Sequence, residues 1–141
     1  ALGRKQTGNP GRVYCLIGEG DLNEGVTVEA ARIASYYQLD NLCFILDSNQ
    51  KMSDSYSKIM VNPFEEFRAF GWFTQLVNGH NFDQLAVAFK VAREPRTRPT
   101  VIIASTVKGK GIATYESDSS GGHGSLSISD NELQEFLKEL E

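Results

Sequence analysis

Glu19, set between Gly18 and Gly20 where an apolar run stops, and Asn49, just past the next apolar run, are the residues whose types and spacing point first to chemistry. Two glycines at a strand end let backbone N–H groups approach an anionic group closely. The carboxylate of Glu19 would repel a bare phosphate. A divalent cation bound to a phosphate ester resolves that conflict, because it ties carboxylate and phosphate oxygens together. The carboxylate of Glu19, the amide oxygen of Asn49 and a nearby backbone carbonyl make a hard-oxygen set suited to octahedral Mg²⁺, with phosphate oxygens and water completing the shell.

These side chains meet only if the elements before them lie side by side. Val13–Ile17 and Leu42–Leu46 are short, mostly apolar runs, each ending in polar turn residues, and read as buried strands of a parallel sheet. A right-handed helix crossover between them opens both carboxyl ends on one edge, where ligands sit in open α/β sheets. The crossover is predicted over Asn23–Leu39, where Val26, Ala30, Ala31, Ile33, Ala34 and Tyr37 give a broad apolar stripe with small residues for close packing on a sheet. Glu24 near its start complements the helix dipole. The expected fold class is α/β, a mostly parallel sheet with helices on both faces.

The string Gly18-Glu19-Gly20 followed by Asn49 resembles the thiamine diphosphate signature, usually Gly-Asp-Gly and then Asn after a strand-helix-strand unit. The longer Gly18-Glu19-Gly20-Asp21-Leu22-Asn23-Glu24-Gly25 and Asp47-Ser48-Asn49 are similar to the transketolase versions of these motifs. Asn78-Gly79-His80-Asn81 resembles that family's Asp-Gly-His-Asp with both acids replaced by amides. Thr106–Gly111 and Gly122-His123-Gly124 resemble its Lys-Gly-Lys-Gly stretch and His-Gly loop. The likeness runs from the first residues to about Ser125, and it departs at Glu19, which stands where the family has Asp.

The resemblance implies the thiamine diphosphate-binding fold, with residues 1–141 the C-terminal part of a diphosphate-binding domain incomplete at its N-terminus. Thiamine diphosphate and Mg²⁺ are the implied cofactors. Glu19, Asn49 and the backbone carbonyl of Lys51 are the implied metal ligands, and Asp21 can partly substitute for Glu19. Gly18, Gly20, Asp21, Asn49 and His123 are the implied cofactor contacts. His123 would lie over the diphosphate and substrate, able to hydrogen-bond a substrate oxygen or move a proton. Glu24 would join a carboxylate network across a dimer interface. The implied reaction transfers a two-carbon ketol unit from a ketose, such as a sugar phosphate, to an aldose. The glutamate that activates the pyrimidine ring belongs to another domain, so a pyrimidine-binding domain or subunit is expected as partner, in a homo- or hetero-oligomer. The chain reads as a fragment or a natural split subunit.

With 40% hydrophobic and 23% charged residues, the chain has the make-up of one globular domain able to bury a core. A net charge of −4 without a basic stripe argues against nucleic-acid binding. No run is long enough to span a bilayer and no signal-peptide pattern opens the sequence, so a cytoplasmic protein is expected. Cys15 and Cys43 fall in predicted strands as small apolar filler.

The remaining elements follow from local signals. Ala1–Lys5 reads as a helix end, and Met52–Pro63 as a polar stretch with an exposed loop. Asn62-Pro63 starts a helix that stops at Gly71. Strands are predicted over Trp72–Val77 and Pro99–Val107, and a helix begins at Asn81 or Asp83. His80, in the turn before that helix, could face the cofactor or serve local structure. Residues Glu116–Gly124 read as a mobile loop. Ser129 and Glu132 have capping-box spacing, and the closing helix should dock on its own domain through Leu133, Phe136, Leu137 and Leu140.

Rival readings use the same residues. A dinucleotide-binding βαβ unit would place Asp47 on a ribose, but its third glycine is Asn23 here. A calcium loop from Asp21 fails because its twelfth position is Arg32. An oxo-acid dehydrogenase or acyl-transfer component would share the signature, which reports the cofactor and not the substrate. A non-catalytic assembly subunit would keep only the fold.

Overall fold

Four short strands pair side by side, and the two central ones carry hydrophobic residues for both faces at once. The computed structural model describes residues 1–51, 62–94, 97–117 and 128–140. His123 and the Met52–Val61 part of the polar stretch lie outside the described residues. The elements in chain order are α1 (Leu2–Gln6), β1 (Val13–Gly18), α2 (Glu19–Leu22), α3 (Gly25–Tyr36), β2 (Leu42–Ser48), α4 (Pro63–Ala69), β3 (Phe73–Asn78), α5 (Phe82–Ala92), β4 (Thr100–Ser105), α6 (Ala113–Glu116) and α7 (Asp130–Glu139). All strand pairs are parallel, in the order β1-β2-β4-β3. The expected α/β class with a parallel sheet flanked by helices is the fold observed.

The register brings the chemistry to one rim. Gly18 of β1 pairs with Asp47 of β2, and Asp47 with Ala104 of β4. On one face Leu42, Phe44, Leu46, Val101 and Ile103 pack against Ala31 and Ala34 of α3, with Phe67 and Trp72 filling the space behind. Trp72 is buried, and its indole N–H donates to the Ala31 carbonyl at 2.9 Å, so the largest apolar side chain leaves no unpaired polar atom. On the other face Cys43 and Ile102 pack against Ala88 and Ala92 of α5.

The second face is only partly covered. Leu16 of β1 is 72% exposed and Tyr14 also reaches solvent, its ring meeting Phe89 edge to face (ring centroids 6.0 Å apart). The expectation of a strand buried on both faces therefore fails for β1. It is an edge strand of the described sheet, and α5 lies over β3 and β4 instead, reaching Cys43 of β2. Cys43 is buried as expected, while Cys15 is half-buried.

The predicted Asn23–Leu39 helix is observed as α3, Gly25–Tyr36, and a short α2 that was not predicted precedes it, with Asn23 and Glu24 between the two. The expected caps are in place: Asn62 on α4, Asn81 on α5, and the reciprocal Ser129–Glu132 bonds on α7. Helix α7 docks on α6, where Phe136 meets Tyr115 at 5.2 Å and the Ala113 N–H donates to Glu139 at 2.7 Å, but Leu133, Leu137 and Leu140 stay largely exposed. No helix among the described residues is long and apolar enough to cross a membrane.

Candidate functional site

The first turn of the site is built by its own acids. Gly18 ends β1 as the N-cap of α2, and its N–H donates to the Asp21 carboxylate at 2.7 Å. Asp21 is thereby occupied in closing the turn, and so is the Gly18 amide. Gly20 lines the cleft, and a Cβ added to it would meet nothing within 4 Å, so the backbone here is open to a ligand. Glu19 lines the same cleft from a buried position. It is 1% exposed, and one of its oxygens accepts the Ser48 hydroxyl at 2.7 Å. The other, Oε2, is buried and has no hydrogen-bond partner among the described residues.

The second turn is held from three sides. The Asn49 side-chain nitrogen donates to Asp47 at 3.1 Å, and its oxygen accepts the Lys51 N–H at 2.9 Å. Gln50 between them takes a left-handed conformation, φ 59°, which reverses the chain so that Lys51 returns to Asn49. The other Asp47 oxygen accepts the Thr106 hydroxyl, and the Thr106 N–H donates to the Ser48 carbonyl at 3.0 Å. Ser48 thus joins the two turns, bonded to Glu19 on one side and adjoining Asn49 on the other. Both turns open on one cleft of about 880 Å³.

The orphaned oxygen of Glu19 is a test of whether a cation fits. A buried carboxylate oxygen with no donor costs of the order of a few kcal/mol unless something positive satisfies it. Asp47 meanwhile fixes which way the Asn49 amide is turned. One carboxylate with neutral amide and carbonyl oxygens is the donor chemistry of a hard cation that already carries phosphate oxygens. No cluster of three His, Cys, Asp or Glu residues is present among the described residues, so a site made of protein acids alone is not the arrangement here. Glu19, Asn49 and Lys51, the predicted metal ligands, all line this cleft, as do Gly18, Gly20 and Asp21. Glu24 stands apart from them as the N-cap of α3, exposed and without a side-chain cap bond.

Sequence reasoning missed Ser48, Thr106 and the use of Asp47. Both Asp47 oxygens are committed to protein donors, which argues against the ribose role of the dinucleotide reading. Lys108 and Lys110 also line the cleft. Lys110 is held by Glu116 at 3.2 Å. The Gly111 N–H, donating at 2.9 Å, and then Lys110 hold the Glu116 carboxyl below the usual carboxylate range. Away from the site, burial pushes the Cys43 thiol up to about 11 against a smaller opposite pull from Arg12, in keeping with a filler residue.

Residues 8–140 match the family described as "Transketolase, thiamine diphosphate binding domain". The chain is 39% identical over 139 residues to the transketolase of Homo sapiens, covering 92% of this chain and 20% of that protein. It is 37% identical over 111 residues to the 6-deoxy-6-sulfo-D-fructose transketolase subunit SqwG of a Clostridium species, covering 76% of this chain and 40% of that one. Among solved structures, transketolase from Campylobacter jejuni superposes with a TM-score of 0.69 at 33% identity, over 81% of this chain and 18% of that chain. A transketolase mutant from Pichia stipitis, 22% identical, shares the fold with a TM-score of 0.80, over 92% of this chain and 19% of that chain. This chain thus spans about a fifth of the full-length transketolases it matches.

Proposed function

This chain belongs to the transketolase family, as its thiamine diphosphate-binding domain, and from that premise we propose that it supplies the diphosphate and Mg²⁺ half of a transketolase-type transferase. The observation that carries the reading is the buried Glu19 oxygen left without a donor beside the Asn49 turn. Glu19, the Asn49 amide oxygen and the Lys51 carbonyl would hold the cation, and the open backbone at Gly20 would admit the diphosphate. When bound, thiamine diphosphate supplies an electron sink for breaking the carbon–carbon bond beside a ketose carbonyl. The chain's own residues do the positioning. Ser48 keeps Glu19 turned inward, Asp47 orients Asn49, and Asp21 closes the first turn.

Transfer of the two-carbon unit between sugars further requires a pyrimidine-binding domain or subunit, which we propose as the partner within a dimeric cytoplasmic assembly. The relative described as a transketolase subunit supports a division of the enzyme between polypeptides. His123 is proposed to act on substrate oxygen, and Glu24 in carboxylate contacts between copies. The test is calorimetric titration of the chain with thiamine diphosphate in Mg²⁺ and in EDTA. Binding in Mg²⁺ that EDTA abolishes is expected. Binding of NAD instead, or no binding of thiamine diphosphate at high Mg²⁺, would overturn the reading.

A further inference from the structure

The turn between β3 and α5, which the proposed function leaves without a role, clasps the loop that borders the cleft. The Gly79 N–H donates to the Ser105 carbonyl at 2.7 Å. A Cβ on Gly79 would overlap the Thr106 methyl and come within 3.1 Å of the Ser105 oxygen, so the two turns touch with no space for a side chain. His80 lies across this contact. Its N–H donates to the Asn78 side-chain oxygen at 2.9 Å, and its ring Nε2 accepts the Val107 N–H at 2.8 Å. An imidazole that accepts through Nε2 is neutral and carries its proton on Nδ1. Val107 follows Thr106, whose hydroxyl donates to Asp47, and Asp47 in turn accepts the Asn49 amide. A continuous line of bonds runs from an exposed imidazole to the turn that carries Asn49.

We propose that His80 is a positioning residue: its neutral Nε2 holds the Thr106–Val107 backbone, so that Asp47 stays bonded and the Asn49 amide stays aimed into the cleft. Diphosphate binding then depends on the charge of a residue bonded to the loop backbone. Protonation turns Nε2 from acceptor to donor and sets it against the Val107 N–H, two donors facing each other. The loop is released when the ring takes up a second proton. The charged groups around the ring are Lys108, Lys110 and Asp47, which share its cleft, Glu116, which feels its charge, and Asp83 in the first turn of α5.

The ligand in this inference rests on the function proposed above, whereas the clasp does not, and the test separates them. The Val107 amide resonance of the free 141-residue chain is followed against pH beside the His80 ring resonances. Thiamine diphosphate binding in Mg²⁺ is measured over the same range for the parent chain, His80→Gln and His80→Leu. Gln keeps an acceptor at similar reach without titrating, and Leu keeps bulk without an acceptor. The Val107 amide should titrate together with the ring. The parent should lose about tenfold more affinity on acidification than His80→Gln, the size of one hydrogen bond, and His80→Leu should bind about tenfold more weakly even at high pH. The ligand's own protonation is common to all three. A Val107 amide indifferent to the ring, equal acid losses in the parent and His80→Gln, or parent-like binding by His80→Leu would each overturn the proposal. If the parent binds no thiamine diphosphate at any pH, the functional reading fails, and the Val107 titration alone decides the clasp.

Discussion

Glu19 is buried at the end of β1, and its position explains how so long a side chain is accommodated there. The Ser48 hydroxyl takes one oxygen at 2.7 Å and holds the carboxylate against the end of β2. Glu19→Gln keeps this shape and removes the charge. It should leave the free chain's stability within about 1 kcal/mol, because the lost charge was buried and half-unpaired. The same change should weaken Mg²⁺-dependent thiamine diphosphate binding at least about tenfold, as calorimetry would show. Gly79→Ala tests close packing at the same rim. Its methyl group cannot fit without moving Thr106, so a loss of about 1–3 kcal/mol is expected by denaturant titration. Glu19, Gly20 and Asn49 were legible in the sequence because their types and their places at strand ends carry the signal. Ser48, Thr106 and Asp47 were not, because their roles lie in which donor faces which oxygen, and that is set only when β2 and β4 pair.

Helix ends were legible where the stop signal was a glycine. Helix α4 closes with Gly71 at φ 84°, the Gly71 N–H donating to Arg68 and the Trp72 N–H to Phe67, while Trp72 and Phe67 pack ring to ring at 5.1 Å. Helix α3 closes with the same pair of bonds, Gln38 to Ser35 and Leu39 to Ala34, but a glutamine occupies the left-handed position at φ 50°. That hidden stop is why the predicted helix ran on to Leu39. Gln38→Gly should therefore raise stability by about 0.5–1 kcal/mol, read as a shifted thermal midpoint. The turn before α6 carries a pH dependence of known sign. Glu116 is held below the usual carboxylate range by Gly111 and Lys110, so its bonds persist above that range and are lost as pH falls through the lowered value. The Gly111 amide resonance should shift in that acid window, and Glu116→Gln should remove the shift.

The molecule as a whole keeps apolar surface that its own sheet and helices do not cover. Ile33 is 52% exposed and Tyr36 81% exposed on α3, and Leu16 lies bare at the sheet edge. The sequence pattern marked α3 as amphipathic with a broad stripe, but it could not tell which part meets the sheet and which meets something beyond this chain. Ala31 and Ala34 meet the sheet, and Ile33 does not. Ile33→Glu should leave monomer stability within about 0.5 kcal/mol and weaken association of the chain with itself or a partner half, measurable by analytical ultracentrifugation. The rim formed by the two turns is the part on which the functional account depends. Mn²⁺ used in place of Mg²⁺ broadens the resonances of nuclei near it, so a spectrum of the labelled chain with Mn²⁺ and thiamine diphosphate locates the cation. Selective broadening at Glu19, Asn49 and Lys51, absent in Glu19→Gln, is the expected result. Broadening centred elsewhere, or unchanged by that substitution, would contradict it.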